Sequence, residues 1–316
     1  MDKKLLELKN EISKIVVGNE KTIDSLMIAL ICEGHVLLEG VPGLAKTTLI
    51  NTLAKALGLE FGRVQFTPDL LPSDIIGAQI YNPKESKFEI KKGPVFVNLL
   101  LADEINRAPA KVQSALLEAM QERQITIADI THKLPDPFFV LATQNPLESE
   151  GTYSLPEAQL DRFMMKLNLT YSTKEEELEI IRRISFKRDI KINNILSSQD
   201  LNNLKNSLNA IHIDPEVEKY IIDIVFASRY PTQYDGLEEI SNLIRFGASP
   251  RGSIDLHRAS RANALLNERD YVTPVDVVFV LKEILRHRII LSYEAEAEDI
   301  DSDKILDKII EVLPMP

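Results

Sequence analysis

Short apolar runs alternate with amphipathic stretches through the first half of the chain. His35–Glu39 (HVLLE) lies between glycines and predicts a buried strand. Leu49, Ile50, Leu53, Ala54 and Leu57 then recur at helical spacing up to Gly58. Val95–Ala102 predicts a second strand, followed by a helix with Val112, Ala115, Leu116, Ala119 and Met120 on one face. Phe138–Thr143 predicts a third strand and Met164–Leu169 a fourth. Strands separated by helices imply βαβ units and a largely parallel sheet covered on both faces.

After Tyr171 the pattern changes. Ser172 or Thr173 followed by glutamates reads as a capped helix start. The remainder predicts helices only: Glu175–Lys187, Ser198–Ile211, Pro215–Ala227, Ile254–Asn267 and Pro274–Arg288. The expected organisation is an α/β domain over 1–171 and an all-helical domain over 172–316. Two alternating segments fit neither core strands nor helices. Gln79–Lys92 turns at Asn82–Ser86, Gln124–Leu134 has a polar turn of its own, and both predict protruding hairpins.

Composition adds exclusions. The 316 residues are 44% apolar and 27% charged, as in an ordinary soluble globular protein. Acidic residues outnumber basic ones 48 to 37, a net charge of −11 that argues against gripping nucleic-acid backbones as the main task. The one cysteine, Cys32, excludes an internal disulfide and a multi-cysteine zinc site, and its apolar surroundings predict a buried, inert thiol. The five histidines lack metal-ligand spacing, and His35 beside a buried strand reads as structural. MDKKLLELKN has no signal-peptide apolar stretch, and no apolar run approaches the ~20 residues of a membrane helix, so a cytoplasmic protein without a membrane span is expected.

Gly40–Thr47 (GVPGLAKT) follows a predicted strand and opens a predicted helix, the setting of a phosphate-binding loop. Small residues let the backbone wrap phosphates, with the N–H groups of Gly43 to Thr47 as an anion nest. Lys46 would meet the β- and γ-phosphates and the Thr47 hydroxyl would meet Mg²⁺. Ala45 stands where the strict pattern has glycine, a position where negative φ is available. The plain alternative is a glycine turn beside an unrelated lysine. Asp103-Glu104 ends the second strand, at the rim where α/β sheets bind ligands. Asp103 suits a Mg²⁺ ligand, direct or through water, and Glu104 a base for the attacking water.

GVPGLAKT, QFTPDLLPSDIIG, LLLADEINRAPAKVQSALLEAMQERQ, LATQNPLESEGTYSLPEAQLDRFMMK and GASPRGSIDLHRASRA resemble the MoxR family of AAA+ ATPases from about Val16 to Ala297. The resemblance implies an α/β P-loop AAA+ core with hairpin inserts, followed by a helical lid. It implies ATP and Mg²⁺ as cofactors, with Val17 and Gly18 at the adenine and Gly40, Gly43, Leu44, Ala45, Lys46, Thr47 and Thr48 around the phosphates. Asn145 matches sensor 1, Arg162 the arginine finger for the neighbouring subunit, and Arg251 sensor 2. As alternatives, Asn145 could cap a turn before Pro146, Arg162 could be a surface ion-pair partner, and Arg251 could serve only its helix start. Arg107 is family-typical and could lie at the subunit interface.

The resemblance further implies a hexameric ring, hairpins facing the channel or partner, and ATP-driven remodelling, maturation or metal insertion of an unidentified client. A von Willebrand factor A-domain partner goes with it. Two other readings compete. A nucleic-acid-remodelling motor would want basic hairpin tips, yet Glu85 and Glu89 dilute Lys84, Lys87, Lys91 and Lys92. A nucleotide switch of low turnover is opposed by the presence of Glu104, Asn145 and Arg162. A small-molecule kinase fits worst, having no need of a helical domain that bears Arg251.

Overall fold

The computed structural model describes residues 2–40, 46–145, 151–185 and 191–316. The chain opens with α1 (Asp2–Ser13) and α2 (Glu20–Ile31), then β1 (Val36–Glu39), α3 (Lys46–Ala56), β2 (Phe61–Gln65) and α4 (Pro72–Ile76). Next come β3 (Gly77–Asn82), β4 (Lys87–Lys92), β5 (Leu99–Asp103), α5 (Ala110–Glu122), β6 (Gln124–Ile127), β7 (Ile130–Lys133) and β8 (Phe139–Gln144). The short α6 (Glu157–Leu160) leads into β9 (Met165–Asn168), α7 (Lys174–Ser185), α8 (Ser198–Leu208) and α9 (Pro215–Arg229). The last elements are β10 (Ile244–Phe246), α10 (Pro250–Leu266), α11 (Pro274–Leu285), β11 (Ile290–Leu291), α12 (Tyr293–Ala297) and α13 (Ser302–Val312).

Five strands form one sheet in the order β2-β5-β8-β1-β9. The β2–β5, β5–β8 and β8–β1 pairs are parallel. Leu99 to Ala102 and Val36 to Leu38 are fully buried, as parallel strands covered on both faces require. The register sets Gln65 beside Asp103 and Leu38 beside Thr143, so polar strand ends collect along one edge. The two expected hairpins form as antiparallel β3–β4 and β6–β7 pairs. Exposed Tyr81 and Phe88 pack edge to face across the first, 5.3 Å between ring centroids.

Three expectations need correction. The strand β2 adds a fifth member to the sheet, since Val64 is the one buried residue in its burial pattern and leaves no apolar run to read. The stretch 95–98 is not strand: the Val95 N–H donates to the distant Ile75 carbonyl, the Val97 N–H turns back to the Val95 carbonyl, and extended pairing starts at Leu99. The second half is not all helix, because β10 and β11 pair antiparallel across a register shift.

The chain divides into two compact units that interleave in sequence: Met1–Ile23, His35–Leu155 and Leu167–Leu201 in one, Asp24–Gly34, Pro156–Lys166 and Asn202–Pro316 in the other. In the second, α9, α10, α11 and α13 bury Ile224, Leu256, Leu281, Ile284 and Ile309. Their starts are written locally. Asp214 and Ser249 each accept a backbone N–H from two residues on, and a proline opens each helix. Thr273 and Asp276 form a capping box at α11.

Candidate functional site

In the first unit, β1 ends at Glu39, buried Gly40 follows it, and α3 begins at Lys46. Gly43, Leu44 and Ala45 lie outside the described residues; Lys46, Thr47 and Thr48 form the first turn of α3. The Lys46 ammonium donates to the Gly40 carbonyl at 2.6 Å, reaching back to the residue after β1. Burial lowers its pKa, against the opposing pull of Asp103, Glu104 and Glu39. Three carboxylates thus act on one half-buried cation at the end of the sheet.

Asp103 closes β5 with both carboxylate oxygens engaged. The Thr143 hydroxyl donates to Oδ1 at 2.7 Å, and Arg63 Nη2 donates to Oδ2 at 2.6 Å. The same Thr143 oxygen accepts the Glu104 N–H at 2.8 Å, so one β8 side chain fixes the ends of both acidic residues. Glu104 itself takes the left-handed conformation (φ 55°, ψ 52°), which costs a non-glycine residue ~1 kcal/mol or more. Gln65 Nε2 and Arg107 Nη1 both donate to its Oε2, at 2.8 and 3.0 Å. Behind it, fully buried Gln113 donates through Nε2 to the Ile105, Ala108 and Tyr153 carbonyls and pins the loop after Glu104.

Other sequence candidates fall as follows. Asn145 is buried just past β8. Val17 and Gly18 lie between α1 and α2, and Gly18 has φ +71°. The positive φ favours glycine there; a Cβ would meet the Glu176 carboxylate at 2.2 Å, the movable end of a long side chain. His35 is structural as expected: Nδ1 accepts the Val140 N–H and Nε2 donates to the Met120 carbonyl. Cys32 is fully buried, and burial pushes its thiol up to about 12.

Arg162 and Arg251 belong to the second unit. There Asp161 accepts the Ser249 hydroxyl at 3.0 Å and pairs with Arg251 Nη1 at 3.6 Å and with Arg288 Nε at 2.7 Å. The sequence did not point to Gln65, Arg63, Thr143, Asp161 or Arg288. Gln65 and Arg63 sit on the unanticipated strand, and Arg288 meets Asp161 across a separation of 127 positions.

Hard oxygen ligands suit Mg²⁺, which takes one or two protein oxygens and completes its shell with water and substrate phosphates. Asp103 at the strand end and Thr47 in the first turn of α3 offer that set within one unit. Among the described residues there is no group of three or more His, Cys, Asp or Glu that could hold a metal ion. None of their helices is long and apolar enough to cross a membrane.

Comparison with known proteins agrees with this architecture. Residues 35–165 match the model of the ATPase family associated with various cellular activities (AAA), and residues 238–309 match that of the AAA lid domain. Chaperone MoxR1 of Mycobacterium tuberculosis is 46% identical over 306 residues, covering 97% of this chain and 81% of the relative. Protein MoxR of Paracoccus denitrificans is 34% identical over 319 residues, covering 96% and 93%. A crystal structure of a protein from Cytophaga hutchinsonii superposes with a TM-score of 0.94 at 54% identity, covering 100% of this chain and 96% of that one. A parallel five-stranded sheet whose edge carries a lysine and an acidic pair, with a helical lid, defines a nucleotide-binding ATPase of the AAA class. Within that class, the chain belongs to the MoxR family.

Proposed function

We propose that this chain is a Mg²⁺-dependent ATP-hydrolysing motor that works as a hexameric ring and remodels a client protein. The observation that carries the reading is Lys46, folded onto the Gly40 carbonyl and acted on by Asp103 and Glu104. An ammonium held by one backbone carbonyl, with two carboxylates nearby, is placed to exchange that carbonyl for phosphate oxygens. In this reading residues 1–171 form the nucleotide-binding core and 172–316 the lid. Val17 and Gly18 contact adenine, while Gly40, Gly43, Leu44, Ala45, Lys46, Thr47 and Thr48 surround the phosphates.

Glu104 orients the attacking water and takes its proton through Oε1, since Oε2 is held by Gln65 and Arg107. Asn145 positions the same water. Thr47 and Asp103 hold Mg²⁺, which when bound neutralises charge on the β- and γ-phosphate oxygens. Arg251 reaches the nucleotide from the lid, and Arg162 reaches the site of the neighbouring subunit. The exposed apolar surface of the β3–β4 hairpin at Ile80, Tyr81 and Phe88 suits contact with a client or partner. We assign the partner to the von Willebrand factor A-domain class and the client task to maturation or metal insertion, in line with a relative named as a chaperone.

A second reading, a switch of low turnover, draws on the engaged state of Asp103 and Glu104. Binding of a fluorescent ATP analogue beside phosphate release separates the two. Lys46→Ala should lose binding, and Glu104→Gln should keep binding but lose turnover. Phosphate release by Glu104→Gln at the parental rate would remove Glu104 from the role of base.

A further inference from the structure

The Arg288 side chain is 1% exposed, yet each of its five N–H donors has an acceptor. Nε donates to Asp161 Oδ1 at 2.7 Å. Nη1 donates to the Met164 and Ile284 carbonyls at 3.3 and 2.7 Å, and Nη2 to the Phe163 carbonyl at 3.0 Å and Asp255 Oδ2 at 2.6 Å. Three of these acceptors belong to Asp161, Phe163 and Met164, so one planar guanidinium grips the chain on both sides of Arg162. His287 Nε2 adds a contact to the Phe163 carbonyl at 3.0 Å.

A planar fork with every donor engaged in a dry setting is stiff, because losing one bond would leave a buried donor unsatisfied. The Arg251 contact to the same Asp161 is the opposite case. It spans 3.6 Å, Arg251 is 48% exposed, and pairs of that kind contribute little. One carboxylate therefore holds a tight partner and a loose one.

We propose that Arg288 and Asp161 are positioning residues that fix the backbone of Arg162, and so the angle at which that arginine is presented to a neighbouring subunit. Arg251 is free to leave Asp161 for nucleotide without unseating Arg162, because the buried bonds to Arg288 persist. The inference rests on the reading of Arg162 as an arginine supplied in trans.

The test separates giver from receiver in mixed rings. Lys46→Ala subunits bind no ATP but can present Arg162; Arg162→Ala subunits bind ATP but present nothing. Each alone should be inactive, and the mixture should hydrolyse ATP at the junctions where an intact Arg162 meets an intact nucleotide site. Asp161→Asn is then added to one partner at a time. It keeps an acceptor for Ser249 and leaves Asp255 to balance Arg288, and light scattering checks that every mixture forms rings alike.

In the Lys46→Ala giver, Asp161→Asn should lower the mixture's rate roughly 10- to 100-fold, the scale of a misplaced catalytic group. In the Arg162→Ala receiver the rate should stay within about threefold: the Arg288 pair is weakened there as well, but it no longer has an Arg162 to position, and the Arg251 contact contributes little. Equal losses in both placements would overturn the positioning role in favour of general support of the unit. An undiminished rate with the giver variant would overturn it outright. Silence of the starting mixture would instead sink the trans reading of Arg162, and the inference with it.

Discussion

Gln65 donates its side-chain amide to Glu104 at 2.8 Å, from the neighbouring strand β2 to the residue just past β5. The bond and the Arg107 contact share Oε2, so Glu104 is fixed in rotation while Oε1 is left for a water. Gln65→Leu should therefore lower kcat about tenfold with ATP affinity intact, a fraction of the 10²–10⁴ that a positioned base contributes. Steady-state kinetics beside equilibrium ATP binding checks this. Loss of affinity with kcat preserved would assign Gln65 to binding instead.

Arg63 competes for the carboxylate expected to hold Mg²⁺. Its Nη2 lies 2.6 Å from Asp103 Oδ2, but the side chain is 48% exposed, so displacing it costs at most about 1 kcal/mol. In Arg63→Ala the Mg²⁺ concentration giving half-maximal ATPase rate should fall, by up to about fivefold. A rise would mean that Arg63 helps hold the nucleotide and does not oppose the metal.

Cys32 offers a chemical check on the second unit. Its thiol is fully buried and pushed up to about 12, with Sγ donating to the Arg258 carbonyl at 3.5 Å. At pH 8 the native protein should resist iodoacetamide and react fully once unfolded in urea. Rapid labelling of folded protein would show the packing there to be looser than described.

Asp276 ties α11 to the end of α10. Burial alone would raise its carboxyl pKa, but Arg269 and Thr273 outweigh it and leave the group below its ordinary value of 3.8. Arg269 Nη1 and Nη2 donate to its two oxygens at 2.6 and 2.5 Å, and Asn263 adds a third bond. Asp276→Asn should cost about 1–3 kcal/mol at neutral pH, the scale of lost hydrogen bonds to a charged group, since Arg269 keeps access to water. Because the folded pKa is lowered, that stability is present above 3.8 and fades as pH falls through the folded value. Denaturant midpoints of the two proteins should converge at acid pH; a gap that widens below pH 4 would contradict the assignment.

Much of the fold is legible in the sequence because it is written in local periodicity. The interior strands are continuous apolar runs, and Gly58 and the Ser249-Pro250 pair mark a helix end and a helix start within a few residues. The turn at Asn82–Ser86 and the polar turn within Gln124–Leu134 announce both hairpins. What escapes the reading is what depends on tertiary placement. The strand β2 buries Val64 while exposing Arg63 and Gln65, so it shows no apolar run and an alternation of only three residues. It becomes a strand by pairing with β5, and that pairing delivers Gln65 and Arg63 to the acidic pair. The β10–β11 pair is three residues against two, too short for a periodic signal. Lys46, Asp103 and Glu104 stood out because phosphate chemistry demands those types after strands. Arg288 did not, because a buried arginine looks like any other charge until the acceptors around its five donors are seen.

The measurement that tests the central claim most directly is the specific ATPase rate as a function of protein concentration, with Mg²⁺ and light scattering on the same samples. A rate per subunit that climbs as rings form, and falls ~10³-fold or more in Arg162→Ala while ATP still binds, is the predicted result. A rate per subunit that stays constant from monomer to ring, and that survives Arg162→Ala, would contradict the account.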